Sequence, residues 1–140
     1  MSGFSCPLRV RWGEVDAQGV VFNPNYFAYA DVAATEFFRA AGVMTDDHPD
    51  MAQSYVVDAR ASFRSSARFD DLLDMEVSLP RIGRSSYELR VDIRRDGQIL
   101  TEVSLTYVRA LEGRSEPLSD AYRAMLARVA APDRARFNRS

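Results

Sequence analysis

One cysteine and one histidine are all that this chain of 140 residues holds. With Cys6 alone there is no internal disulfide framework, and a lone thiol fits a reducing compartment. A zinc site built on nitrogen and sulfur needs three or four ligands, so a metal centre of that kind is excluded. No metal or redox cofactor is therefore expected. A Ser-His-Asp or Cys-His site would have to use His48, which stands among Asp46, Asp47 and Asp50 in a stretch that reads as a solvated loop. No Gly-x-Ser-x-Gly elbow, P-loop or Gly-x-Gly-x-x-Gly is present. An excess of one charge is missing too: 18 basic against 20 acidic residues leave a net charge of −2. That balance gives no electrostatic reason to expect nucleic acid or an anionic membrane as partner. The longest mostly apolar stretch, 20–38, is broken by Asn23, Asn25, Asp31 and Glu36, so it is no membrane span. Residues 1–7 lack a basic region followed by an apolar one. No signal peptide is expected, and the protein is expected in the cytoplasm.

What is there is ordinary for a soluble domain: 46% apolar and 27% charged residues. The length suits one domain over 1–140, with its core at about 8–130 and a polar, basic tail over 132–140. Leu8, Val10 and Trp12 alternate with Arg9 and Arg11, the period of a half-buried strand. Asn23-Pro24 reads as a helix start with Asn23 as N-cap, and the helix runs from Tyr26 to Ala41, ended by Gly42. Aromatic residues and alanines point in several directions on it, and a helix apolar nearly all round must be buried on most sides. After an exposed loop over 42–51 the period changes to two. Tyr55, Val57, Ala59, Ala61 and Phe63 form one dry face; Met75, Val77 and Leu79 a second; Tyr87, Leu89, Val91 and Ile93 a third. Asp96-Gly97 signals a hairpin into a last strand over 99–110. A short amphipathic helix from about Ser119 presents Tyr122, Met125, Leu126 and Val129. The architecture that satisfies these faces is α+β: about five antiparallel strands curled around a long central helix. One such sheet does not enclose an all-round apolar helix, so a second copy of the chain is expected to complete its burial, as a homodimer or homotetramer.

The segment from Arg11 to Tyr26 resembles the signature of the 4-hydroxybenzoyl-CoA thioesterase family of hotdog-fold proteins, which includes the Tol-Pal-associated acyl-CoA thioesterases. Asp16, Gly19, Val20, Val21, Phe22 and Asn25-Tyr26 carry the match. Ala34 to Arg39, Ser62-Phe63 (as the start of a second-strand segment), Phe69-Asp70-Asp71, Gly83 to Ser86 and Asp96-Gly97 extend it in order, over roughly residues 8 to 130. Gln18, where relatives favour a small residue, and Asn23, where they carry His or Tyr, depart from the pattern. The resemblance implies a hotdog fold and hydrolysis of an acyl-CoA or acyl-carrier thioester. It further implies Asp16 as the attacking or water-activating carboxylate and the backbone amide of Asn23 as donor to the thioester oxygen.

The residues themselves are compatible with that chemistry. Thioester hydrolysis needs an activated nucleophile and a donor for the oxygen that becomes negative. Asp16 offers the first from a loop, and a helix N-terminus shortly after it offers free N–H groups and a favourable dipole. Gly19 allows a tight turn and close approach of backbone to a ligand. The alternative is that Asp16 bonds its own loop as an Asx-type turn. Glu14 is expected to point away or to pair with Arg11. Glu36 lies roughly 20 Å along the helix from Asn23 at about 1.5 Å per residue, and is expected to be structural. Phe22, Tyr26 and Tyr29, with Gly19 and Val20, are candidates for the acyl site. Arg60, Arg84 with Ser85, and the segment around Arg128 are candidates for the CoA phosphates, since guanidinium suits phosphate geometry. A hotdog-fold hydratase or dehydratase, or a non-catalytic acyl-binding protein, are the rival readings.

Overall fold

The period-two stretches form one antiparallel sheet in the computed structural model, which describes residues 3–45 and 48–132. Its strands are β1 (Phe4–Arg9), β2 (Ser54–Phe63), β3 (Leu72–Ile82), β4 (Ser86–Arg95) and β5 (Gln98–Leu111), in the order β1-β3-β4-β5-β2. A two-residue β6 (Arg114–Ser115) folds back on β5. The helices are α1 (Asn25–Ala41), α2 (Pro49–Ala52) and α3 (Asp120–Val129). Five strands curled around one long helix are the hotdog architecture.

The alternation holds along β4 and along β3 as far as Val77, after which the register shifts, Ser78 is buried and Leu79 is only half-buried. Leu73, Met75 and Val77, and then Tyr87, Leu89, Val91 and Ile93, are all buried against α1. From the helix side come Tyr26, Tyr29, Ala30, Ala33, Ala34, Phe37, Phe38 and Ala41. The alanines let the strands approach, and the aromatic rings fill the space between. Emptying the Phe37 site by Phe37→Ala would cost about 3–5 kcal/mol. At the far end Ser119 caps α3, its hydroxyl accepting from the Tyr122 N–H at 3.2 Å, and Tyr122 and Leu126 are buried.

Several expectations are corrected. The central helix is not apolar all round: its buried residues recur at helical spacing, and Asp31, Glu36 and Arg39 share an exposed face with Ala28, Val32 and Ala40. It begins at Asn25, and Asn23 is not its side-chain cap. Bonds from Asn25 N–H to Phe22 O and from Tyr26 N–H to Asn23 O tighten the approach into a turn, because a residue before proline is steered away from helical backbone. Trp12 does not continue a strand. The chain leaves the sheet after Arg9, enters a 3-10 turn at Trp12–Glu14, and leaves the indole 75% exposed. The 42–51 loop contains α2, and Asp50 within it is buried, accepting from the Ser119 N–H at 2.8 Å and facing Arg109 at 3.4 Å. Asp46, Asp47 and the tail over 133–140 lie outside the described residues.

The largest departure is β2. Ser62 and Phe63 end this strand instead of opening one. Of the supposed dry face only Ala61 is partly buried against the core, while Tyr55, Val57, Ala59 and Phe63 are open to solvent. A bulge between Val56 and Asp58 shifts the register, so Tyr55 opposes Val108 while Ala59, Ala61 and Phe63 oppose Leu105, Val103 and Thr101. One extra residue turns Tyr55 to the other face of the sheet. The strand also lies at the sheet edge, where α1 gives it little cover.

Candidate active site

Between β1 and α1 the chain makes a small hairpin of its own. Phe22 N–H donates to Glu14 O at 3.0 Å, Asp16 N–H to Val20 O at 2.8 Å, and Val15 bridges Val21. The tip is the turn from Asp16 to Gly19, closed by Gly19 N–H to Asp16 O at 2.9 Å. Gly19 sits at φ +81°, a left-handed conformation that costs other residues roughly 1–2 kcal/mol. The return arm docks on the segment before β3, through Val20 bridging Arg68 and Val21 N–H bonding Ala67 O.

Asp16 is half-buried on the outgoing arm. Its Oδ1 accepts the Gln18 N–H at 2.8 Å, the Asx-type turn weighed as the alternative. That bond occupies one oxygen; Oδ2 has no partner among the described residues. The Asx bond and a reactive role are compatible, since the first orients the group that performs the second. Asn23 stands where the return arm turns into α1. Its carbonyl accepts from Tyr26, while its own N–H donates no bond among the described residues. Asp16, Val20, Phe22, Asn23 and Ser66 line one cleft of about 330 Å³. A neighbouring hollow of about 220 Å³ shares Asn23 and Ser66 and adds Tyr26, Phe63, Arg64 and Ser65. A carboxylate and an unused amide thus border one concave space that can admit a carbonyl group.

Not every candidate lies here. Tyr26 touches the second hollow but is itself buried, its hydroxyl accepting from the Ala67 N–H at 2.9 Å. Arg60 is on β2, opposite Ser104 and paired with Asp58 at 2.8 Å, on the sheet face away from α1. Arg84 and Ser85 occupy the turn after β3, whereas the Asp16 hairpin packs just before its start. Eleven residues of strand separate them, roughly 35 Å at about 3.3 Å per residue. Within one chain they do not meet the cleft. Arg128 donates to Ala41 O at 3.4 Å, at the other end of α1. Glu36 is exposed and paired with Arg39 at 3.3 Å. His48 borders a shallow hollow of about 210 Å³ with Val43, Met44 and Met51, also beyond the far end of α1. The Cys6 thiol is half-buried, and burial, with Glu36 and Asp74 nearby, pushes its pKa up.

Glu14 has a larger part than its pairing with Arg11 suggested. Its carboxylate accepts the Arg11 N–H at 2.8 Å, the guanidinium at 2.9 and 2.6 Å, and the Tyr29 hydroxyl at 2.8 Å. Burial alone would raise the Glu14 pKa, but the bonds from Arg11 and Tyr29 hold it below the ordinary glutamate value. For Tyr29 burial leads and the bond to Glu14 adds, and the phenol pKa is raised. The signal that could have found this was the Arg11/Glu14 spacing of three at a turn. Tyr29, which the sequence offered beside Phe22 and Tyr26 as a possible lining of the acyl pocket, instead bonds Glu14 and lines neither hollow, and nothing in the pattern marked Ser66.

The thioesterase superfamily profile matches residues 18–102, more than half of the chain, beginning two positions after Asp16. The chain is 29% identical over 91 residues to the 4-hydroxybenzoyl-CoA thioesterase of Pseudomonas sp. (strain CBS-3), covering 62% of this chain and 64% of that one. The match thus spans just under two thirds of that relative's own length. It is 25% identical over 120 residues to the acyl-CoA thioesterase YbgC of Haemophilus influenzae, covering 84% and 88% of the two chains. Among solved structures, a gentisyl-coenzyme A thioesterase superposes with TM-score 0.77 and 25% identity, over 89% of this chain and 99% of that one.

Proposed function

The chain belongs to the thioesterase superfamily, and from that premise we propose that it hydrolyses an acyl-CoA or acyl-carrier thioester to the free acid and the thiol. The observation that carries the reading is the sharing of one cleft by the Asp16 carboxylate and the unused Asn23 N–H. The thioester carbonyl oxygen would face the Asn23 amide, which stabilises the negative charge as it develops. Asp16 would attack the carbonyl carbon or draw a proton from an attacking water. Val20 and Phe22 wall the cleft, Gly19 closes the turn beside it, and Tyr26 borders the neighbouring hollow.

We further propose that the protein acts as a homodimer or homotetramer in the cytoplasm. β2 is a ten-residue edge strand carrying Val56, Val57 and Phe63, respectively 51, 61 and 46% exposed. An edge that long and apolar is an aggregation hazard unless covered, and a second β2 is the simplest cover. Arg84 and Ser85 would then reach CoA phosphates only from another copy; among the described residues the Arg84 guanidinium makes no bond. The hydratase reading needs a histidine beside the carboxylate, and His48 borders a hollow at the far end of α1. A non-catalytic binding role is separated by assay. Thiol release from a panel of aromatic and aliphatic acyl-CoAs should reveal turnover on at least one. Binding without release across the panel would overturn the proposal.

A further inference from the structure

Glu14 joins four pieces of the molecule. Its carboxylate takes the N–H and guanidinium of Arg11, just past the end of β1. Its carbonyl takes the Phe22 N–H at 3.0 Å and the Asn25 side-chain amide at 2.9 Å. The same carboxylate takes the Tyr29 hydroxyl, one turn further along α1. Tyr29 is buried, with its ring packed edge-to-face on Tyr26 at 5.9 Å. Asp16 is two residues from Glu14 on one arm of the hairpin, and Asn23 directly follows Phe22 on the other. The hairpin's own backbone bonds fix its two arms to each other. The return arm is tied to the helix by the turn over Phe22–Tyr26 and by Ala67, which accepts from Val21 N–H and donates to the Tyr26 hydroxyl, whereas on the Asp16 arm the bonds to the helix run through Glu14.

We propose that Glu14 and Tyr29 are positioning residues, a clamp that sets the Asp16 carboxylate against the Asn23 amide. It rests on the reading that those two groups act on the thioester. Neither Glu14 nor Tyr29 lines the cleft, so their effect passes through Asp16. A shielded hydroxyl on a charged oxygen is a strong, directional bond, suited to holding a loop within the fraction of an ångström that the chemistry requires. A displacement of about 1 Å can cost up to about 10²-fold in rate.

The test is a cycle of Tyr29→Phe in wild-type and Asp16→Asn backgrounds, with kcat and KM read by thiol release on the best acyl-CoA and folding by thermal melt. Tyr29→Phe keeps the ring and removes only the oxygen. Its kcat should fall about tenfold while KM stays within about twofold. In the Asp16→Asn background the same change should cost less than about twofold, because the positioned group has lost its charge. A role in stability alone would lower the active fraction equally in both backgrounds, and that result overturns the clamp. Unchanged kcat in Tyr29→Phe overturns it as well. Full turnover in Asp16→Asn overturns the underlying reading of Asp16, and the clamp with it. If Tyr29→Phe does not fold, Glu14→Gln, which keeps size and loses the charge, is carried through the same cycle with the same expected outcome.

Discussion

The two ends of α1 are finished in opposite ways. At the C-terminal end Gly42 takes φ +79°, its N–H bonds Arg39 O, and Val43 N–H returns to Phe38 O. That is a Schellman closure, and Arg128 adds a cation on Ala41 O. At the N-terminal end Pro24 precedes the first helical residue, no side chain caps it, and the Asn23 amide is left without a partner among the described residues. The Asn25, Tyr26 and Phe27 N–H groups are taken up by Phe22 O, Asn23 O and Pro24 O, so the donor left over at this end is Asn23, which shares a cleft with the half-used Asp16 carboxylate. Unsatisfied groups in an otherwise consistent structure mark function more often than error. Under the proposed function, the same helix serves chemistry at one end and stability at the other.

If that division is right, substitutions at the two ends should separate activity from stability. The largest effect belongs to Asp16→Asn, which keeps shape and removes charge. General-base contributions run about 10²–10⁴, so kcat should fall at least about 100-fold, with KM changing less and the melting temperature little changed. Glu36→Gln, on the open face of the same helix, should keep kcat within about twofold. An inactive but folded Glu36→Gln would move the chemistry off the helix's N-terminal end and break the comparison.

Next comes Gly42→Ala, which forces a side chain into left-handed backbone beside the Met125 methyl, 3.4 Å from the new carbon. It should lose about 1–2 kcal/mol of stability with kcat of the folded enzyme unchanged. A melt together with a single-substrate assay decides this. Loss of kcat at constant stability would show that the two ends are coupled.

How far the sequence carried this comparison depends on what each feature requires. Gly42 was legible, because only a left-handed closure needs glycine just after a helical stretch. Asp16 and Gly19 were legible through the loop pattern and its resemblance to the thioesterases. β4 and the first half of β3 read correctly because both lie inside the sheet, where alternation is enforced on one face by α1; beyond Val77 the irregularity in β3 buries Ser78 and breaks the period. β2 did not read correctly: it is an edge strand with a bulge, and a period of two says nothing about whether a neighbour covers it. Asp50 also escaped, since its burial depends on Arg109 and Ser119, 59 and 69 positions away. The role of Glu14 depended on Tyr29, a pairing across a loop that spacing does not reveal.

The pH dependence sharpens the N-terminal end. Glu14 is held below its ordinary value, about 4.3, in the folded state. Its contribution to stability is therefore fully present above that pH and is lost as pH falls through the lower folded value. The wild-type melting temperature should exceed that of Glu14→Gln at about pH 6, and the gap should narrow as pH falls below the ordinary carboxylate range. Asp71, lowered in the same sense despite its burial by bonds from Arg68 and Arg95, is untouched in both proteins and cancels from the difference. A gap independent of pH would mean that the Glu14 charge is not what the bonds hold.

The smallest effect is expected at Arg128. Its side chain reaches Ala41 O at 3.4 Å from an exposed position on α3, a long bond open to solvent and salt. A cation at a helix C-terminus contributes about 0.3–1 kcal/mol at low ionic strength. Arg128→Ala should therefore lower the melting temperature by about 1–3 °C, and by less in high salt, where the dipole is screened. Both kcat and KM should stay within about twofold, because some 25 Å of helix at about 1.5 Å per residue lies between this end and Asn23. Arginine is also well suited to phosphate, and that gives the experiment its second edge. A KM for acyl-CoA that rises in Arg128→Ala, with the rise fading in salt and the melt unchanged, would assign the guanidinium to a substrate reaching across from another copy. The closed end of α1 would then also serve binding, and the division between the helix's two ends would hold for a single chain but not for the assembly.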